Sequence, residues 1–359
     1  MKILLVGCYR FFWYEEVCAQ ALATMGHDVV RFSWEKYFSS LIGRVEEHLL
    51  IRGWSTHQLE ADLLKFARTA HPDVIWIWRG LHVRSIVVRR LRENTGAVLV
   101  SYNNDDPFSR AHRRVRPHAS MMDFFIQSIK EYDINFVFRP GNIQEYRDHG
   151  AKWVAMLPPY FIRDLHRPTL LSDVEQNRYG CDLVFVGHHE EDGRENYLRA
   201  LVKAGYQLRI YGTGWPERAI RAIYGSPLTV FPVFGEEYVR ALSGAKLCLS
   251  FLSKLNRDTY TTRSFEIPAC AKVMIGERTA DLESLFRDGE EAAYFSTAEE
   301  MLQIVRDLLA NEDKRRSIER AARHRCVLEG YDEFARMDSW VDIVRNHPRL
   351  RRAERSGDV

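Results

Sequence analysis

Short runs of apolar residues recur along this 359-residue chain, and stretches with helical spacing separate one run from the next. In the first half the runs fall at 2–7, 28–34, 72–80, 97–107, 134–141 and 153–160. In the second half they fall at 182–187, 208–215, 228–235, 245–251, 272–277 and 290–297. Cores such as ILLV, VIWIW and LVFV are apolar at consecutive positions, so a strand built from them must be covered on both faces. The intervening helical stretches include 12–25, 56–70 (apolar at Leu59, Leu63, Leu64, Phe66 and Ala67), 194–203, 298–309, 313–325 and 331–345. Alternation of strand and helix builds a parallel sheet with helices on its faces. The pattern breaks around Pro158, Pro159 and Pro168 and then restarts, which predicts two Rossmann-like α/β domains, 1–160 and 180–330, joined by a linker at 161–179. The first turn, GCYRFF, lacks G-x-G-x-x-G, so dinucleotide binding does not follow from it.

A chain with 46% hydrophobic and 28% charged residues suits two globular domains. With 51 basic against 49 acidic side chains, the net charge of +2 gives no electrostatic case for nucleic acid. Cys8, Cys18, Cys181, Cys248, Cys270 and Cys326 show no C-x-x-C spacing and mostly sit in apolar runs. That favours reduced thiols in a cytoplasmic protein over disulfides or zinc. The opening MKILLVGCY is too short an apolar stretch for a signal peptide, and no run approaches the length of a membrane span. The tail 347–359, HPRLRRAERSGDV, is basic and is expected to be disordered. Each of its arginines would gain about 1 kcal/mol at best from an anionic membrane surface, so peripheral contact at the inner membrane face stays open beside a merely solvated tail.

The stretch 245–291 carries the clearest chemistry. Strand AKLCLSF leads into a polar loop with Lys254, Arg257, Thr261, Thr262 and Arg263, and FEIPACA then opens a helix. Strand, basic loop and helix start together place backbone N–H groups and fixed positive charge against an anion. Lys254 and Arg263 add full charges, and Thr261 and Thr262 add donors. Glu266 can accept ribose hydroxyls beyond a bound diphosphate, or it can close a capping box; capping alone leaves Lys254 and Arg263 unexplained.

The run TTRSFEIPACAKVMIGERTADLESLFRDGEEAAYF resembles the C-terminal signature of the CgeB-like (spore-maturation-protein-like) glycosyltransferases. The likeness passes through Arg263, Phe265, Glu266, Ala269, Cys270, Leu285, Phe286, Gly289 and Glu290, and it departs at Ala271, where that family has Gly. The resemblance implies a GT-B fold, two Rossmann-like domains facing across a cleft, with the donor on the C-terminal domain and the acceptor on the N-terminal one. It implies that Gly187 and Arg194 contact donor phosphate, that Gly212 and Gly214 make a tight turn beside the donor, and that Val233 and Phe234 face the nucleobase. It also implies that a final helix, 331–346, crosses back to the N-terminal domain. The implied reaction is sugar transfer from a nucleoside diphosphate to an unidentified acceptor, with no further cofactor. Lys254, Arg263, Arg194 and the N–H groups near Thr262 would take the place of a metal ion.

Three readings stand for Asp105 and Asp106 at the end of run 97–107: a turn before Pro107, an acid or base acting on the acceptor, and a metal ligand. Adjacent residues on a strand point to opposite faces, and no further ligand set accompanies them, which weighs against metal. His188, His189, Glu190 and Glu191 read as a solvated loop for the same reason. Two rivals to transfer remain: a nucleotide-sugar epimerase using His82 or His112, and a non-catalytic nucleotide-sugar-binding protein.

Overall fold

The computed structural model describes residues 1–49, 51–111 and 116–351. The chain divides into two compact units, Met1–Pro158 with Glu333–Val359, and Pro159–Asp332. In the first unit, β1 (Lys2–Gly7), α1 (Glu15–Thr24), β2 (Asp28–Ser33), α2 (Leu41–Leu49) and α3 (Trp54–Ala70) come first. They are followed by β3 (Val74–Trp78), α4 (Ser85–Thr95), β4 (Val98–Asn103), α5 (Arg116–Ser128), β5 (Ile134–Val137), α6 (Asn142–Asp148) and β6 (Val154–Met156). The strands form one parallel sheet in the order β2-β1-β3-β4-β5-β6. VIWIW of β3 is buried along its whole length, as a strand covered on both faces must be. Leu59, Leu63 and Ala67, four residues apart on α3, pack with Leu4, Val6, Ile75 and Ile77 on one side of the sheet.

The second unit runs through α7 (Asp173–Tyr179), β7 (Cys181–Val186), α8 (Arg194–Lys203), β8 (Leu208–Tyr211), α9 (Glu217–Tyr224), α10 (Gly235–Gly244) and β9 (Ala245–Ser250). It continues with α11 (Arg263–Ala269), β10 (Val273–Glu277), α12 (Ala280–Leu285), β11 (Ala293–Phe295), α13 (Ala298–Ala310) and α14 (Glu312–Leu328). Its sheet, also parallel, has the order β11-β10-β9-β7-β8. Each sheet places its second strand on one side of the first and its third strand on the other. The strand order therefore reverses direction between β1 and β3 and between β7 and β9, and the carboxyl ends of those pairs are where ligands of open α/β sheets lie.

Stretches 161–179, 228–235 and 348–351 differ from the sequence expectation, whereas the final helix joins the first unit as the resemblance implied. The stretch 161–179 belongs to the second unit and carries α7, started by a capping box in which Ser172 accepts from the Glu175 N–H and Glu175 accepts from the Ser172 N–H. Residues 228–235 form no strand. Pro227 and Pro232 have no N–H to give a ladder, and the Gly212 N–H reaches the Phe231 carbonyl at 3.0 Å. The final helix, α15 (Glu333–Arg345), belongs to the first unit and packs on α1. Its inward stripe is Met337, Trp340, Val341 and Val344. Residues 348–351 of the tail are helical, and 352–359 lie outside the described residues.

Trp340 is fully buried, with its ring 4.7 Å from that of Trp76 and 6.1 Å from that of Phe136. Trp340→Ala is expected to destabilise the first unit by about 3–5 kcal/mol in urea unfolding. Leu170→Ala, at a fully exposed position, is expected to change stability by no more than about 0.5 kcal/mol.

Candidate functional site

At the carboxyl end of β7, Phe185 is fully buried, and two guanidinium groups share its ring, Arg194 at 5.7 Å and Arg263 at 6.0 Å. The two arginines, more than sixty positions apart in sequence, are thus brought together, but their charges are handled differently. Arg194 is buried and committed: its Nε and Nη2 donate to the two oxygens of Asp192 at 2.8 and 2.6 Å, and its Nη1 donates to the His188 carbonyl at 2.9 Å. Glu190 lies 3.5 Å from its Nη2 and accepts the Ser253 hydroxyl at 3.0 Å, which ties the loop after β9 to the loop after β7. Among the described residues the Arg263 side chain has one hydrogen-bond partner, the Phe251 carbonyl 3.3 Å from Nη2, while its buried Nε has none. Lys254 is exposed and held by Glu277 at 2.7 Å, and the other oxygen of Glu277 accepts the Leu252 N–H at 2.7 Å. Of the three predicted cations, Arg263 and Lys254 keep capacity for an anion, whereas Arg194 is neutralised and fixes the loop.

The glycines have packing causes. A Cβ on Gly212, whose φ is +145°, would lie 2.0 Å from the Gly187 carbonyl oxygen. A Cβ on Gly187 would meet the Phe185 ring at 2.7 Å. These two residues let the ends of β7 and β8 touch, while Gly214 turns the chain at φ +74°. Val233 is buried and Phe234 exposed, so only the second offers a surface. His188 pairs with Glu190 at 2.8 Å and His189 with Glu195 at 2.7 Å. Among the described residues no group of three or more His, Cys, Asp or Glu side chains has a geometry able to hold a metal ion.

The capping box, the alternative reading of Glu266, is not formed. Thr262 is the N-cap of α11 without a side-chain cap bond, and the Arg263 N–H goes instead to the Thr261 hydroxyl at 3.1 Å. The Glu266 carboxylate turns to the Tyr238 hydroxyl, which donates to Oε2 at 2.8 Å. His166 accepts the Ile162 N–H on Nδ1 at 2.9 Å, so the neutral ring carries its proton on Nε2, 3.9 Å from Glu266 Oε1. Burial holds His166 neutral, at about 3, and burial also raises Glu266 to about 7 against the opposing pull of Tyr238 and Arg263. The side chain of Glu266 nevertheless keeps 13% exposure, enough to meet a ligand. At the far end of α11 the Ala271 N–H bonds the Pro268 carbonyl and the Lys272 N–H bonds the Ile267 carbonyl, a Schellman closure with Ala271 at φ +53°. The family's Gly at that position therefore answers a backbone requirement.

In the first unit, Asp105 and Asp106 part company. Asp106 is wholly buried and accepts the Phe108 N–H at 3.1 Å and the Asn142 amide at 3.0 Å, so it holds the turn before Pro107. Asp105 pairs with Arg79, which sits at φ +51° just past β3 and whose side chain is 41% exposed. Sequence reasoning missed two groups that accompany Asp105. Arg79 is one, and its Nε has no hydrogen-bond partner. Glu15, at the start of α1, is the other: a buried carboxylate that accepts the Cys8 N–H at 2.8 Å and is raised by burial, with Arg79 pulling the other way. Their signal was position, Arg79 directly after the third strand and Glu15 at the start of the helix that follows the first. Glu15, Arg79 and Asp105 form an acid–cation–acid group at the carboxyl ends of β1, β3 and β4. His82 packs on Phe38 and Trp34, and burial pushes it down to about 3. His112 lies outside the described residues.

Residues 194–342 match the family model described as glycosyl transferase-like. Among curated proteins none matches the chain. Sucrose-phosphate synthase from Thermosynechococcus elongatus is similar over 96% of this chain and 98% of its own, with 14% identity and a TM-score of 0.65. Anabaena HepE, solved with UDP-glucose, is similar over 96% and 99%, with 12% identity and a TM-score of 0.67. The α,α-trehalose 6-phosphate synthase of Burkholderia multivorans is similar over 96% and 98%, with 12% identity and a TM-score of 0.61. The fold is that of the GT-B glycosyltransferases.

Two outcomes follow from the geometry of α11. Ala271→Gly relieves a left-handed alanine and is expected to raise stability by about 0.5–1 kcal/mol in denaturant unfolding. For Glu266 the unfolded carboxyl ionises near 4.5 and the folded one near 7. Its contribution is therefore present below pH 4.5 and lost as pH rises through about 7. The stability of wild type relative to Glu266→Gln should fall across that window by no more than about 3 kcal/mol, measured by urea titration at each pH.

Proposed function

We propose that the protein is a nucleotide-sugar-dependent glycosyltransferase that binds its donor in the second unit without a metal ion. The observation that carries this reading is Arg263: a guanidinium at the start of α11, half spent, beside a ring it shares with the fully spent Arg194. Such a group suits a diphosphate, which offers several acceptor oxygens at once. Lys254 would exchange Glu277 for the same diphosphate, and the Thr262 region would add N–H donors. Glu266, steadied by Tyr238 and His166, would accept hydroxyls of the ribose. As the bond from the anomeric carbon to the phosphate oxygen breaks, its electron pair stays with the diphosphate, and Arg263 and Lys254 stabilise the added charge. Arg194 keeps the loop after β7 in place.

The acceptor would bind on the first unit near Asp105, with Arg79 and Glu15 beside it. Asp105 would hold or deprotonate the acceptor hydroxyl once a substrate displaces Arg79, and Asp106 would shape the turn. The UDP-glucose bound by Anabaena HepE makes a hexose on UDP the first donor to try. The CgeB-like signature lies on α11, β10 and α12, next to the proposed diphosphate site, and supports that narrower kinship. Six free cysteines, five of them buried, support a cytoplasmic setting.

Labelled UDP- and GDP-sugars should yield free nucleotide together with transferred or hydrolysed sugar, and no epimerised donor. Arg263→Ala and Lys254→Ala should each lower kcat/KM by at least about thirtyfold, the loss of one charge-stabilising donor. UDP or GDP should raise the melting temperature of wild type by mass action and leave Arg263→Ala unmoved. Full turnover by either variant would remove the diphosphate assignment.

A further inference from the structure

Arg52, two positions before α3, carries a guanidinium that the first unit leaves unmatched. Its Cζ lies 3.5 Å from the centre of the Phe124 ring on α5, a separation that only flat groups stacked face to face reach. Its Nη2 is buried without a hydrogen-bond partner, and among the described residues no carboxylate pairs with it. The other half-buried arginines nearby are matched: Arg79 by Asp105, Arg84 by Glu60 and Arg92 by Asp133. Glu60 is the carboxylate whose charge acts on Arg52, and Arg84 has already taken it. Its Oε1 accepts the Arg84 backbone N–H at 2.9 Å, and its Oε2 accepts Arg84 Nε at 2.8 Å. Glu46 is spent on the Ser55 N–H at 3.0 Å. Arg52 and Arg84 thus balance Glu46 and Glu60 in charge; what the group lacks is acceptors. Burial pulls Arg52 down to about 10, Glu60 opposes, and Arg84 adds to the fall. His82, in the loop after β3, is a second unspent donor. Its ring packs 4.5 Å from that of Phe38, makes no hydrogen bond among the described residues, and feels the charges of both Arg79 and Arg52.

We propose that Arg52, with His82 beside it, binds a phosphate group carried by the acceptor. The phosphate site stands by itself, whereas its placement on an acceptor rests on the transferase reading. Donors without acceptors are answered by a group that only accepts, and phosphate is such a group. The Phe124 ring covers one face of the guanidinium and leaves its edge, where the N–H bonds point. A carboxylate bonded to that edge lies in the guanidinium plane with both oxygens used. A phosphate meets the edge with two oxygens and keeps a third out of the plane for an imidazole N–H. Stacking also fixes the guanidinium in one orientation, so less freedom is lost when the anion arrives. The position suits an acceptor, because the loop after β3 joins His82 to Arg79 of the acid–cation–acid group.

Calorimetric titration of the full chain with inorganic phosphate, and separately with acetate, at fixed ionic strength tests it. Arg263→Ala serves as the parent, because it removes the proposed donor-site contact to phosphate and leaves the first unit alone. The parent should bind phosphate at least about tenfold more tightly than acetate. Adding Arg52→Gln should weaken phosphate binding at least about tenfold, the loss of hydrogen bonds to a charged group. Arg52→Lys keeps the charge and the stem but not the fork; it should weaken binding about fivefold, and it carries the comparison should the Gln variant unfold. His82→Phe should weaken binding about threefold. Phosphate bound equally by the Arg52 variants, or acetate bound as tightly as phosphate, overturns the proposal. So does loss of all phosphate binding on Arg263→Ala alone, an outcome that leaves the donor site standing. A hexose phosphate or vesicles containing phosphatidic acid should displace inorganic phosphate from the parent, the first marking a soluble acceptor and the second a lipid. Displacement by neither overturns the assignment of the site to an acceptor.

Discussion

A buried guanidinium needs a counter-charge, and the two arginines near Phe185 meet that need differently. Arg194 is fully answered by Asp192, Glu190 and a carbonyl, so burying it costs little and it works as a fixed strut. Arg263 has the nearby charge of Glu266 and a single side-chain hydrogen bond to a carbonyl, and among the described residues its Nε is left without a hydrogen-bond partner. An unmade hydrogen bond on a buried charged group costs roughly 1–3 kcal/mol. The contrast between two chemically identical side chains on one ring is the clearest local sign of a binding site.

The parallel sheets make that arrangement possible. Because all strands of a sheet run one way, their loops on one edge converge, and polar side chains gather there without interrupting a hydrogen-bond ladder. The same logic applies twice in the chain. In the second unit the edge collects Arg263, Lys254 and Glu266; in the first it collects Glu15, Arg79 and Asp105. Cations outweigh acids in one group and acids outweigh cations in the other, the contrast on which the proposed donor and acceptor sites rest.

Glu266 and Asp106 show how burial separates carboxylates that look alike in sequence. Glu266 is raised by its burial, and the Tyr238 hydroxyl that bonds it and the charge of Arg263 only partly oppose that rise. Asp106 accepts a backbone N–H and an amide and becomes part of a turn. A carboxylate's role follows from which donors face it, and those donors come from distant segments: Tyr238 from α10, His166 from the stretch before α7, Asn142 from α6.

The sequence alone determined the α/β class, because consecutive apolar runs can be satisfied only by strands covered on both faces. It also placed Lys254, Arg263 and Glu266 in one loop and helix, since residues this near in sequence share one local frame whatever the fold. It could not reveal the Arg79–Glu15–Asp105 group, whose members lie on three separate strand ends, nor that Arg194 is neutralised. Nor could it show that Arg52 stacks on Phe124 without a carboxylate of its own among the described residues. Only the tertiary structure decided these, since a charge acquires its role from the groups that long-range packing sets against it.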